Sequence, residues 1–176
     1  MNTQRIRELM IEKGGGIQKL SVDDIRQLEL FMGNADLKQY LLECLPENTF
    51  RASGIDIWDK EQIIGYKGLD SSCSLIYEYG FMPLGDNGGA DIICVDAETG
   101  DVYFASHQCF FEDEIEAVTD KGRSIMLYEY NPENIRLGMN AKLSTNLERF
   151  LVDLLEDKLE DYLDDVRQGN RRDTLY

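Results

Sequence analysis

His107 is the one histidine of this 176-residue chain, and it sits beside Ser106 and two residues before Cys109. A nucleophilic relay needs a serine or cysteine held by a base, and that base oriented by a third group. Neighbours on a strand point to opposite faces, so the Ser106–His107 pair suits a relay poorly. No G-x-S-x-G elbow occurs either. We therefore expect a structural histidine at a strand end and no catalytic residue. Asp86-Asn87-Gly88-Gly89-Ala90-Asp91 gathers two carboxylates and an amide, as a calcium loop would. It lacks the D-x-[DN]-x-[DN]-G order and the distal glutamate, and reads as a turn. Cys44, Cys73, Cys94 and Cys109 are scattered, without the spacing that zinc sites show. The glycines at 14 to 16 follow Lys13, but no G-K-[ST] ending and no preceding strand make them a phosphate cradle. The expectation is no metal and no cofactor.

The acidic residues are the stronger signal. Thirty-four Asp and Glu face eighteen Lys and Arg, for a net charge of −16. Such a field repels nucleic acid and anionic membranes and attracts basic partners. The charge concentrates twice. Residues 111 to 116, FEDEIE, carry Glu112, Asp113, Glu114 and Glu116. A last helix carries Asp153, Glu156, Asp157, Glu160, Asp161, Asp164 and Asp165 on one face. Carboxylates used as acids or bases need burial or close pairing, and these read as exposed. Glu112, Asp113, Glu114 and Glu116 are the first candidates for partner contact, with Glu156, Glu160 and Asp164 second.

The elements that must position these residues follow from periodicity. Ile6, Leu9 and Met10 predict a helix over residues 3 to 12, stopped by the glycines at 14 to 16. Ser21 and Asp24 form a near capping box for a second helix, with Ile25, Leu28 and Phe31 as its stripe. A third helix runs from Asp36 to Cys44 and closes before Pro46. The period then changes. Ile55 to Ile57 predicts a strand, Glu61 to Ile64 a short helix or turn, and Ser74 to Tyr79 a strand. Phe81 to Leu84 continues extended. Ile92 to Val95 is a continuous apolar run that suits an interior strand, and Val102 to Ala105 returns from a hairpin over Ala97 to Gly100. Ile125 to Tyr130 reads as one more strand, and residues 112 to 124 as polar. Thr145 and Glu148 predict a capping box for one long helix over residues 145 to 167. The expected architecture is a single α+β domain: helices over 1–46, a sheet region over 55–130, then that helix. No apolar run approaches the ~20 residues of a membrane span. A cytoplasmic protein with reduced thiols is expected.

The stretch from Phe81 to His107 resembles the signature of the SUKH superfamily, the Smi/Knr-like domains. The matching residues are Phe81-Met82-Pro83-Leu84, Asp86 to Asp91, Ile92-Ile93-Cys94-Val95, Asp96 to Gly100, and Val102-Tyr103-Phe104 up to His107. Leu37 to Leu42 is similar to the family's tyrosine-bearing helix, and Thr145 to Leu155, with Phe150-Leu151, to its late segment. The resemblance implies a twisted, mainly antiparallel sheet with flanking helices, and no enzyme. It further implies an immunity protein that neutralises a basic, nuclease-type toxin by covering its active site. The alternative is a regulatory protein-interaction scaffold with no toxin partner.

Overall fold

The structure, a computed structural model, describes residues 1–68, 72–118 and 123–176. Helix α1 (Thr3–Glu12) starts where the Asn2 side chain accepts the Arg5 N–H, and buries Ile6, Leu9 and Met10. Its glycine stop is a matter of space. A Cβ on Gly15 would lie 2.5 Å from the Phe50 ring. The loop is held from behind by Glu47 and Asn48, whose N–H groups donate to the Gly15 carbonyl. The predicted capping box opens α2 (Val22–Gln27): Ser21 Oγ accepts from Asp24 N at 3.2 Å, and the Asp24 carboxylate accepts from Ser21 N at 2.8 Å. The stripe then continues through a separate 3-10 turn, Glu29–Phe31, which buries Phe31. Helix α3 (Ala35–Glu43) buries Leu37, Tyr40 and Leu41, and Cys44 follows them into the core.

Six strands form one antiparallel sheet in the order β1-β2-β3-β4-β5-β8: β1 (Phe50–Ala52), β2 (Ile55–Ile57), β3 (Phe81–Asp86), β4 (Ile92–Asp96), β5 (Val102–Ala105) and β8 (Ala141–Ser144). Strands β6 (Ile115–Val118) and β7 (Ser124–Leu127) pair with each other as a separate ribbon, and Ile115 also bridges Phe110. All five residues of β4 and all four of β5 are buried, so the continuous apolar run was read correctly as an interior strand. The β4–β5 turn ends on Gly100 at φ +80°, the left-handed position expected of it. Helix α4 (Lys60–Tyr66) confirms the short helix expected near Glu61 to Ile64 and lies on β3. Helix α5 (Pro132–Gly138) packs on β6. Helices α1 and α3 pack against α6 (Leu147–Leu155). The five buried apolar side chains of α6, Leu147 through Leu155, are each worth roughly 1.5–3 kcal/mol of burial.

Three readings are corrected. Residues 74 to 79 belong to a 3-10 helix, Ser72–Tyr79, not a strand. The sheet extends beyond 55–130, because the Ser53-Gly54 turn, with φ of +48° and +76°, folds β1 onto β2, and β8 adds the far edge. The last helix is two. Helix α6 is capped by Asn146, which accepts from Arg149 N, while the Thr145 hydroxyl donates to Tyr176 O instead of closing a capping box. It stops in a Schellman motif: Lys158 N donates to Asp153 O, Asp157 N to Leu154 O, and Asp157 takes φ +57°. Helix α7 (Glu160–Arg167) then begins anew and stops in the same motif on Gly169.

An aspartate in a left-handed position needs support, and β1–β2 supplies it. Ser53 N donates to Asp157 Oδ1 at 2.8 Å, and Lys13 pairs with the other oxygen. Ser53 is buried; its hydroxyl donates to Leu154 O and accepts from Leu159 N across the break. Ser53→Ala leaves Leu159 N without its partner in a dry site and removes one of the two donors to Leu154 O. We expect it to lower unfolding stability by about 2 kcal/mol, read as a shifted urea midpoint at unchanged m.

Candidate functional site

His107 does not stand between Ser106 and Asp91. Asp91 Oδ1 takes the Ser106 hydroxyl at 2.9 Å, the His107 backbone N–H at 3.1 Å and His107 Nδ1 at 2.8 Å. A relay places the histidine between serine and acid; here the serine hydroxyl donates its hydrogen bond to the acid directly. Asn140 completes the knot. It accepts from Ser106 N at 2.7 Å, donates its own N–H to Phe104 O, and sends its amide to Cys109 Sγ. The cluster fastens the start of β4, the end of β5 and the approach to β8. Burial works against the Asp91 charge, but the bonds from His107 and Ser106 outweigh it and hold the carboxyl below its ordinary range. The other carboxylate of the Gly-rich turn, Asp86, is used separately, accepting from Trp58 Nε1 and Gly88 N. Among the described residues no three His, Cys, Asp or Glu side chains converge as metal ligands. All four cysteines are buried and free, and burial pushes the Cys44 and Cys73 thiols up to about 12.

The first acidic cluster is built differently. Glu112 and Asp113 are exposed in the turn leading to β6, and Glu114 and Glu116 are partly exposed. Along β6 the side chains alternate: Ile115 and Ala117 face inward and are buried, while Glu116 faces out opposite Met126. Glu129 follows β7 and Glu133 opens α5. None of these six carboxylates has an ion pair among the described residues. Large apolar side chains are exposed among them: Phe111, Ile125, Leu137 and, at 77% of its full area, Tyr128. Tyr130 ties the face together, donating to Phe111 O at 2.6 Å and stacking on Tyr79 at 5.8 Å between ring centres.

A partly buried ion pair, beside the core packing of Ile115 and Ile135, helps hold this unit to the body. Arg136 on α5 donates Nε to Asp96 Oδ2 at 2.6 Å, and its Nη2 reaches Glu98. The Asp96 side chain is only 4% exposed. Its second oxygen accepts Glu98 N, and its carbonyl accepts Gly100 N, so the same residue shapes the β4–β5 turn. The hydrogen bond from Asp96, aided by Glu98, raises the Arg136 pKa further above its ordinary value. Beneath it, Gly138 lets α5 approach: a Cβ there would fall 2.2 Å from Ile115 Cγ2.

The second acidic cluster is largely spent. Glu156 caps α6 and pairs with Arg5 and Lys158. Asp157 holds Lys13, Asp153 holds Lys158 and Arg149, and Asp164 pairs with Arg167. Of the three contact candidates there, Glu160 alone has no ion pair among the described residues, and it lies beside the β1–β2 turn at Gly54. No hydrogen bond or ion pair among the described residues joins this cluster to the first. The expected single acidic face is thus broken by the turn at Asp157 and by pairing. Sequence reasoning missed Tyr128, Phe111 and Arg136; an arginine forty positions from its aspartate leaves no local trace.

No family model, no curated protein and no solved structure matches this chain.

Because Asp91 is held below its unfolded value of about 3.9, its contribution is complete above that value and fades as pH falls through the lower folded one. Asp91→Ala should cost about 2 kcal/mol at pH 7. The gap to the unaltered protein should narrow below about pH 4, as urea unfolding at both ends of that range would show.

Proposed function

We propose that this chain is a non-enzymatic protein-binding domain of the cytoplasm, an immunity protein that neutralises a basic, nuclease-type bacterial toxin by covering its active site. The observation that carries the reading is the surface around β6 and β7. Among the described residues, the carboxylates of Glu112, Asp113, Glu114, Glu116, Glu129 and Glu133, on and beside this ribbon and at the start of α5, have no ion pair, and Phe111, Tyr128 and Leu137 of the same segments are exposed. Elsewhere the basic side chains are mostly spent in ion pairs, such as those of Arg5, Lys13, Arg51, Lys60, Arg149 and Arg171. Part of the residual negative charge therefore lies where apolar anchors are also exposed.

That combination suits a macromolecular partner. Aromatic anchors supply contact area at low entropy cost, and a surrounding acidic rim speeds encounter with a basic groove and sets its orientation. A surface of clustered negative charge can occupy the place a nuclease keeps for its substrate. The resemblance of Phe81 to His107 to the Smi/Knr-like signature supports the same reading. No helix among the described residues is long and apolar enough to cross a membrane.

The test is capture of the partner by the full-length chain from its native host, followed by assay of the partner's nuclease activity with and without the chain. The expected partner is basic and is silenced on binding. Reversing Glu112, Asp113, Glu114 and Glu116 to lysine should slow association about tenfold or more and flatten its salt dependence. The melting temperature should stay nearly unchanged, since these groups make no ion pair among the described residues. An equally fast, equally salt-sensitive association would remove this patch from the interface.

A further inference from the structure

Strand edges present unpaired N–H and C=O groups, and folded proteins guard them. Here the main sheet is guarded at both sides. Edge strand β1 has three residues and carries Arg51, which pairs with Asp56. At the other side, β8 is lined by residues that follow α7: Leu175 N donates to Leu143 O at 2.8 Å, and Thr145 N to Tyr176 O at 3.0 Å. In the ribbon, β6 is covered by α5. The outer edge of β7 has no such cover among the described residues. Among the described residues nothing outside β6 hydrogen-bonds to its backbone. Its sequence, Ser124-Ile125-Met126-Leu127, contains no proline and no charge.

We propose that this edge takes a strand from the partner: an extended segment alternating basic and apolar residues, added antiparallel or parallel to β7. The inference rests on the proposed function and gives its mode of binding. The alternation follows from the pleat. Glu116 and Met126 share the outer face of the ribbon, so an added strand meets acidic charge on that side, from Glu116 and neighbouring Glu114. Ile125 and Leu127 share the other face with Ile115 and Ala117, and offer it apolar surface. Arg123 flanks the strand at its start as the one described cation next to it, against Glu112, Asp113, Glu114, Glu116 and Glu129. A second copy of this chain is disfavoured as occupant, since it brings a charge of −16 to an acidic surface. A basic segment gains main-chain hydrogen bonds along the edge and charge pairing across it.

The experiment uses the full-length, isotope-labelled chain and a capped hexapeptide alternating lysine and isoleucine. Two analogues carry backbone N-methyl groups, one on its lysines and one on its isoleucines. In an added strand, alternate peptide N–H groups point at the protein. One analogue should therefore bind about tenfold or more weakly while the other binds like the parent. Amides in residues 124–127 should gain protection from exchange. Absence of parent binding, equal binding of both analogues, signals confined to β1 or β8, or a dimer formed through β7 would each overturn edge pairing. The fourfold charge reversal separates the two ideas. If it weakens the parent and both analogues alike, the acidic surface stands and the edge alone falls. If it weakens none while one analogue still loses affinity, the edge stands and the acidic surface falls.

Discussion

The Asp96–Arg136 pair is the joint on which the candidate interface depends. A carboxylate with 4% of its side chain exposed is tolerable only if both oxygens are used. One takes Arg136 and the other takes Glu98 N. Those two bonds connect unlike parts of the molecule. The turn bond fixes the β4–β5 hairpin at the centre of the sheet. The arginine bond fixes α5, and α5 packs on β6 with Gly138 against Ile115. Position therefore passes from the most buried strands to the acidic ribbon through this guanidinium and the close helix–strand contact, together with the burial of Phe110, Ile115 and Ile135 in the core. A two-stranded ribbon is marginal by itself in water, so without this anchoring the carboxylates and aromatic rings would not hold a common face.

The two acidic clusters show why clustering of charge in a sequence says little about available charge. In both, carboxylates crowd a short stretch. In the C-terminal one, the break at Asp157 turns the chain so that Asp153, Glu156 and Asp157 meet Lys158, Arg5 and Lys13. Exposed pairs of this kind contribute little stability individually, but they cancel local field. Around β6 none of the described cations forms an ion pair with these carboxylates, and the field survives beside apolar surface. The difference is tertiary, set by where α1 lies against α6.

Much of the fold was legible because it rests on local rules. The capping box at Ser21, the glycine at 100 and the doubly buried run at 92–95 each have a mechanism that acts within a few residues. The failures have causes of the same kind. The break after α6 was invisible because its left-handed position holds an aspartate, and what makes that tolerable is Ser53, about a hundred residues away. The apolar content of 74–79 fits a strand or a tight helix equally, and packing against β3 decides for the helix. The Ser53-Gly54 dipeptide was a usable turn signal for β1 that went unread. In the site, the carboxylates at 112–116 were visible as composition, whereas the exposure of Tyr128 and the reach of Arg136 exist only once the chain is folded.

The distribution of guarded and unguarded edges bears on what the molecule is shaped to do. Covering β8 orders the segment after α7 and engages Tyr162, whose hydroxyl donates to Asp173 O, and Tyr176, which stacks under Arg149 at 3.9 Å. Several interactions, each small, keep that edge closed. If exposure of backbone edges were neutral for this protein, such a strap would have no purpose. β7 combines an open edge with exposed Ile125 and neighbouring Tyr128, a combination that invites self-association. The acidic residues beside it oppose pairing between like copies and leave the edge accessible to chains of opposite charge. On the proposed reading the same carboxylates guard the edge against one class of strand and attract another, which is the arrangement expected of an edge kept open for a basic partner.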